Sequence, residues 1–303
     1  MTQARESTKE PERRVLFDFE IEFANGGGIK GEGFRLDVQG EGIADDELAD
    51  YVVRDMRLLM VQSVRILNKT IIIEPHQRAP LTAEHPVMLD VSHIVEDGLV
   101  TSKGLPAPVI RDYMSRAASL PRYAPGTEFQ IGRIEMVGNT GTYLDSPFHR
   151  YAEGRDLSEL ALTSLAALDG VVIRVPPGVR AVSRTPLSGH DLEGRAVLIH
   201  TGWATHWGTD AYFDGHPFLT EEAANYLVRC RAALVGIDSL NIDDTVDGRR
   251  PVHTALLGAG IPIVEHLTGL DRLPGTGFRF FAVPVKVRGC GTFPVRAFAV
   301  MGR

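Results

Sequence analysis

Cysteine is scarce in this chain. Of its 303 residues only Cys230 and Cys290 carry a thiol. Neither stands in a CxxC pair or a Cys/His cluster, which argues against a thiolate metal site and leaves no disulfide framework to read. No run approaches the roughly 18 apolar residues of a membrane span. The opening "MTQARESTKEPERR" has no apolar core of the kind a secretory signal needs. Basic residues do not dominate either: 32 Lys and Arg stand against 39 Asp and Glu, a formal net charge of −7. That balance is the wrong sign for a phosphate-binding face. The three glycines of "NGGGIKGEG" are followed by neither GK[ST] nor a helix, so a hairpin turn is the better reading than a phosphate cradle. Ser239 lacks a GxSxG setting, which removes support for a serine nucleophile. No internal repeat or low-complexity tract is present. Together these absences predict a soluble, cytoplasmic protein with no nucleic-acid and no membrane partner.

What is present is ordinary for a globular protein, with 44% hydrophobic and 23% charged residues. A chain of this length can bury roughly three quarters of its unfolded surface, so it needs no staples. Residues 1–14 read as a disordered leader, polar and without apolar period. "VLFDFEIEF" (15–23) alternates apolar and acidic residues and predicts a half-buried strand. Residues 45–67 predict a helix, with Asp45 and Asp46 at its start and Leu48, Val52, Met56, Leu59 and Met60 at helical spacing. "TIIIEP" (70–75) predicts a strand ended by proline. These elements form a small α/β module over 15–80, with a linker over 76–86. From residue 87 to 303 short apolar strands alternate with Gly/Pro turns: "VMLDVSH", "GVVIRV", "AVLIHTGW", "ALVGID", "IPIVEHL", "FFAVPVKV" and "VRAFAVM". Residues 220–232 predict a helix with Thr220 as N-cap. The pattern is α/β with a mixed sheet.

Four groups in this second part carry possible chemistry. Asp145 and His149 lie four residues apart on the loop "GNTGTYLDSPFHR" (138–150), His253 opens "HTALLGAGIPIVEHL", and Glu265 follows twelve residues later. Glu265 has Ile263 and Val264 before it in a predicted strand, and a carboxylate in such company needs a partner. Asp145 could instead cap a turn, since Asp-x-Pro is common turn chemistry.

At these residues the chain resembles the kynurenine formamidase or "cyclase" family of metal-dependent amide hydrolases. "NTGTYLDSPFH" is similar to the family's signature loop HxGTHxDxPxH, and "DVSH" (90–93) to its opening strand. "HTGW" (200–203), "GIDSLNID" (236–243), "PVHTALLGAGIPIVEHLTGLDRLP" and "PVRAFAV" follow in the family's order. The resemblance spans 87–301 and leaves the N-terminal module out. It implies the family's mixed-sheet swivelling β/β/α fold, and at least a homodimer. It further implies Asp145, His253 and Glu265 as ligands of one metal and His149 as the proton donor and acceptor. Two histidines that would hold a first metal are replaced here by Asn139 and Tyr143.

One nitrogen and two carboxylates suit a catalytic zinc or manganese ion with a position left for water. Metal-free use of the same pocket is the other option, because two ligands of a bridged pair are gone. Tyr143 cannot replace an imidazole, since a phenol ionises near pH 10. It could donate a hydrogen bond to a developing oxyanion, and so could Asn139. Trp203 could wall the pocket, as could Trp207, or both could pack beneath it. Arg250 in "DGRR" could bind a substrate carboxylate or be solvated. His93 could reach the pocket by resemblance, whereas His190, His200, His206, His216 and His266 read as surface or structural residues. The leading expectation is hydrolysis of an N-formyl aryl amine or cyclic amide. The alternative is a non-hydrolytic cyclase or dehydratase of a biosynthetic pathway that uses His149 and Tyr143.

Overall fold

A computed structural model of the chain describes residues 13–38, 42–56, 58–73 and 86–301. The chain divides into two compact units, Met1–His85 and Pro86–Arg303. The expected leader lies outside the described residues up to residue 12. Strand β1 (Arg13–Phe23) already includes Arg13 and Arg14. The expected linker lies outside the described residues except for Pro86.

In the first unit β1 pairs antiparallel with β2 (Gly28–Val38) and with β3 (Val61–Ile73), giving the order β2-β1-β3. The alternation in β1 does what the sequence predicts. Val15, Phe17, Phe19 and Ile21 point to one face and are buried with Leu48 and Val52 of helix α1 (Asp45–Asp55). The hairpin turn after β1 is confined to the residues before Gly28. The predicted helix over 45–67 is too long: it ends at Asp55, and Met56, Leu59 and Met60 are exposed. Residues 61–67 belong to β3, where Val64 and Ile66 lie opposite Ile21 and Phe19 and pack on the same core. Their period of two, matched by β1, overrides a helical spacing that nothing buries.

The second unit is built on a nine-stranded mixed sheet. Its strands are β4 (Val87–Asp90), β7 (Tyr143–Asp145), β8 (Leu168–Arg174), β10 (Ala196–His200), β12 (Leu234–Ile237), β13 (Ile263–Glu265), β14 (Phe278–Phe281), β15 (Thr292–Pro294) and β16 (Phe298–Met301). Their order is β15-β7-β13-β12-β10-β8-β14-β16-β4. A hairpin of β5 (Val109–Met114) and β6 (Ile131–Glu135) encloses the short helix α2 (Arg116–Ser119), and β9 (Ala181–Val182) pairs with β11 (Phe218–Leu219). Strands β8, β10, β12 and β13 run parallel at the centre. Their buried side chains are apolar on both faces, as in parallel strands covered on both sides, with Glu265 of β13 the exception. Val171, Ile173, Val197, Ile199, Val235 and Ile237 face helices α3 (Glu221–Arg229) and α4 (Pro251–Gly258). Val172, Leu198, Leu234 and Val264 face the other core with Phe278 and Phe280.

Helix α3 has the predicted cap, for the Thr220 side chain accepts from the Ala223 N–H at 3.2 Å. Helix α4 was not predicted. Its apolar run has almost no polar face, so no helical period shows in the sequence.

Candidate active site

The 138–150 segment is not a free loop. Tyr143–Asp145 form a strand inside the nine-stranded sheet, bounded by β13 and β15. The antiparallel register sets Tyr143 opposite Glu265 and Asp145 opposite Ile263. Leu144 and Val264 point into the opposite core. Side chains alternate along a strand, so Tyr143, Asp145 and Glu265 emerge together on the face that carries α4. Two glycines permit the approach of the surrounding backbone. A Cβ on Gly138 would lie 2.5 Å from the Thr292 carbonyl oxygen, and one on Gly291 would lie 2.6 Å from the His149 Cα.

Helix α4 delivers His253 from above. Pro251 occupies its first turn, and Arg250 before it takes a left-handed conformation with φ 51°. The cap is Asp243, which the sequence reading did not single out. Its Oδ1 accepts from the Val252 N–H at 2.7 Å and its Oδ2 from the His253 N–H at 3.0 Å. The same Oδ2 lies 2.6 Å from His253 Nδ1. One carboxylate therefore starts the helix and fixes the imidazole, leaving Nε2 to face the strand residues. Nε2 lies 3.6 Å from Asp145 Oδ2 and 3.8 Å from Glu265 Oε1. Burial opposes a charge on this imidazole. The carboxylates of Asp145, Asp243 and Glu265 around it outweigh that cost and raise its pKa to about 10.

Asp145 is fully buried, and neither carboxylate oxygen has a hydrogen-bond partner. His149 Nε2 stands 3.9 Å from its Oδ1. The histidine sits on the turn Pro147–His149 that follows the strand and is 36% exposed, so it connects the buried floor to solvent. One ligand atom each from Asp145, His149 and His253 lies within 4.8 Å of the others. This group differs from the expected ligand set by holding His149 where Glu265 was expected.

Glu265 is instead satisfied by protein donors. Oε1 accepts from the Ile242 N–H at 2.6 Å, and Oε2 accepts from Asn241 Nδ2 at 3.2 Å and from the Tyr143 hydroxyl. Burial first, then His253 acting the other way and Asp145 acting with it, leave the Glu265 pKa at about 7. Burial also pushes the Tyr143 phenol well above its ordinary value, reinforced by the charges of Glu265 and Asp145. The phenol stays protonated and gives its hydrogen to Glu265. Asn139 beside the phenol opposes that rise, while its own Oδ1 accepts from the Thr292 hydroxyl at 3.1 Å. Asn139 and Tyr143, the two replacements in the signature loop, thus lie at the same cavity, and the phenol ends on Glu265.

Two adjoining cavities open over this floor. The inner one, about 150 Å³, is lined by His149, Arg150 and His253 with Asn139, Tyr143, Asn241 and Arg250. The outer one, about 420 Å³, shares the last four and adds Lys103, Leu105, Phe213 and Leu240 among others. Trp203 lines neither, and its indole N–H donates to the Tyr212 carbonyl at 2.9 Å. His93 lines neither: its ring stacks on Trp207 at 3.9 Å between centroids, and burial lowers its pKa to about 4. His266, read as surface or structural, is fully buried between Tyr143, Trp207 and Tyr212.

Residues 81–244 match the family model described as "Putative cyclase". The chain belongs to the cyclase family. The kynurenine formamidase of Geobacillus thermodenitrificans (strain NG80-2) is 30% identical over 168 residues, 55% of this chain and 78% of that relative. Among solved structures, isatin hydrolase A from Labrenzia aggregata bound to benzyl benzoate superposes with a TM-score of 0.62 at 20% identity, covering 74% of this chain and 96% of that one. A chain from Bacillus stearothermophilus described as a predicted metal-dependent hydrolase has a TM-score of 0.57 at 26% identity, covering 70% and 97%. The mixed α/β fold of the second unit is therefore the cyclase-family fold. Asp243 and Asn241 fall inside the matched segment, within the block "GIDSLNID". Their roles rest on contacts with His253 and Glu265 that no local pattern announces.

Proposed function

We propose that this cyclase-family protein hydrolyses an amide-like bond in a small molecule, either an N-formyl aryl amine or a cyclic amide. The observation that carries this reading is the Asp145 carboxylate, buried completely with no hydrogen bond to either oxygen and with the Nε2 atoms of His253 and His149 at 3.6 Å and 3.9 Å. Such a group is expensive unless a cation or ordered donors meet it. Zinc or manganese fits the donor set, with Asp145 and His253 Nε2 as the residues that would hold it, Glu265 at its edge, and His149 beside it left free to carry protons. When bound, such an ion supplies Lewis acidity and lowers the pKa of water to about 7.

The chain's own residues supply the rest. Asp243 holds the His253 ring with its Nδ1 side occupied, so Nε2 is the atom aimed at the floor. His149, the exposed member, exchanges protons with solvent and delivers one to the leaving nitrogen as the C–N bond breaks. The oxygen of water ends on the acyl carbon. Tyr143 has already given its hydrogen to Glu265, so its part is to hold that carboxylate in place. The Asn139 amide oxygen is taken by Thr292, which leaves its NH₂ end for the phenol and for the cavity above. There it can meet a developing oxyanion.

The Tyr143–Glu265 pair favours a second reading. A carboxylate with a pKa of about 7 bonded to a phenol can relay protons in a ring closure or dehydration. Product mass separates the two, since hydrolysis adds one water while ring closure loses it or leaves the mass unchanged.

The test is elemental analysis of protein purified without chelator or histidine tag, paired with mass spectrometry of products from formanilide and cyclic amides. Hydrolysis with one zinc or manganese per chain, and loss of both in a folded Asp145→Asn variant, is the expected result. A protein that takes up no metal after add-back, or that turns over substrate without adding water, overturns it.

A further inference from the structure

The rim of the two cavities is cationic, and its central group is unpaired. Arg250 lines both, which places it at the boundary between the floor with His149 and His253 and the wider space beyond. It is half-buried, and its one recorded side-chain partner is neutral: NH1 donates to Asn241 Oδ1 at 3.2 Å. Among the described residues no carboxylate lies within 4.0 Å of its guanidinium. Arg150 lines the inner cavity, with the Thr254 hydroxyl 3.3 Å from its Nε and its guanidinium 5.2 Å from the centre of the Tyr151 ring. Lys103 stands in the outer cavity over the Phe213 ring, and its contact with Asp214 is 3.6 Å between two exposed side chains. An ion pair so exposed is worth little. No Asp or Glu lines either cavity, so a substrate ammonium would find no partner there.

A planar guanidinium that is partly desolvated, with the charge of Asp247 acting on it only at longer range and no carboxylate in contact, is a fork waiting for one. Beside it, Leu105, Phe213 and Leu240 form an apolar wall of the outer cavity. We infer that the substrate is a net anion: a small amide with an apolar body and a carboxylate close to the scissile bond, gripped by Arg250. Resting on the hydrolase reading, this assignment makes Arg250 the residue that selects carboxylate-bearing amides over neutral and zwitterionic ones. Arg150 and Lys103 add attraction without fixing geometry, because both are exposed and Lys103 is a point charge on a flexible stem.

The experiment compares three formamides on the intact, metal-loaded protein: 2-formamidobenzoate, neutral formanilide, and a zwitterionic formanilide carrying an α-amino acid. The anion should have the highest kcat/KM. In Arg250→Gln its KM should rise about tenfold or more, the loss expected for a charge-assisted contact, and by a larger factor than any change for formanilide. Arg250→Lys should recover part of the loss, which a merely structural role for this helix-capping position would not do. Binding of 2-aminobenzoate against aniline, by calorimetry, is measured in parallel and needs no turnover. Formanilide turnover with no preference for the anion, or an unchanged 2-aminobenzoate affinity in Arg250→Gln, overturns the assignment. Absence of turnover with any formamide, beside Arg250-dependent binding of 2-aminobenzoate, overturns the hydrolase reading and leaves the anion site standing.

Discussion

Asp243→Asn isolates the residue that joins the fold of the site to its chemistry. The carboxylate is fully buried and accepts from three groups: the Val252 N–H at 2.7 Å, the His253 N–H at 3.0 Å, and His253 Nδ1 at 2.6 Å. Asparagine has the same shape but only one oxygen. In either orientation its NH₂ must face a buried N–H. One unpaired buried donor costs about 1–3 kcal/mol, and the lost negative charge at the helix start adds roughly 0.3–1 kcal/mol. The sum, about 1–4 kcal/mol, corresponds to a fall in melting temperature of roughly 3–15 °C for a unit of this size. The imidazole also loses the partner that orients it, so metal affinity should weaken about 10–100-fold. Thermal unfolding followed by circular dichroism reads the first effect, and competition with a chromophoric chelator reads the second. A variant that melts with the wild type and binds metal equally well would refute the assignment. A lowered melting temperature with unchanged metal affinity would show that Asp243 serves the helix alone.

Gly291→Ala should damage the site from behind. Its Cβ would meet the His149 N and Cα at 2.6 Å, and backbone atoms cannot rotate away. A displaced His149 should cost up to about 100-fold in kcat, with a native circular dichroism spectrum; an unchanged kcat would mean that the turn yields freely. His266 predicts a pH dependence of stability. Burial holds its pKa at about 3, so between about 6.5 and 3 the unfolded chain binds a proton that the folded chain refuses. Its contribution is full above pH 6.5 and is lost as the pH falls, by about 3–5 kcal/mol over the whole span. His266→Asn, which tolerates the φ of 57° at this position, should flatten the denaturant-derived stability profile in that range. Equal slopes in the two proteins would sink the argument.

The sequence by itself determined the elements whose signals are local. The alternation of β1, the Thr220 cap of α3, and the apolar runs of β8, β10 and β12 are written in neighbouring residues, because side-chain period and capping act over a few positions. The order of blocks from "DVSH" to "PVRAFAV" likewise identified the family before any geometry was known. Only the tertiary structure decided the rest. Residues 61–67 became strand because β1 offered a ladder and a core, while the helical face of Met56, Leu59 and Met60 had nothing to cover it. The 138–150 segment reads as a loop from its glycines and proline. Pairing with β13 and β15 turns its middle into a buried strand and sets Tyr143 against Glu265, 122 residues away. That pairing satisfies Glu265 with protein donors and leaves Asp145 without a hydrogen bond. Asp243 came into the site because helix α4 needed an acceptor at its start and His253 happened to lie on its first turn. A carboxylate's role depends on which donors reach it, and for Asp145, Asp243 and Glu265 those donors are chosen by the packing of distant segments.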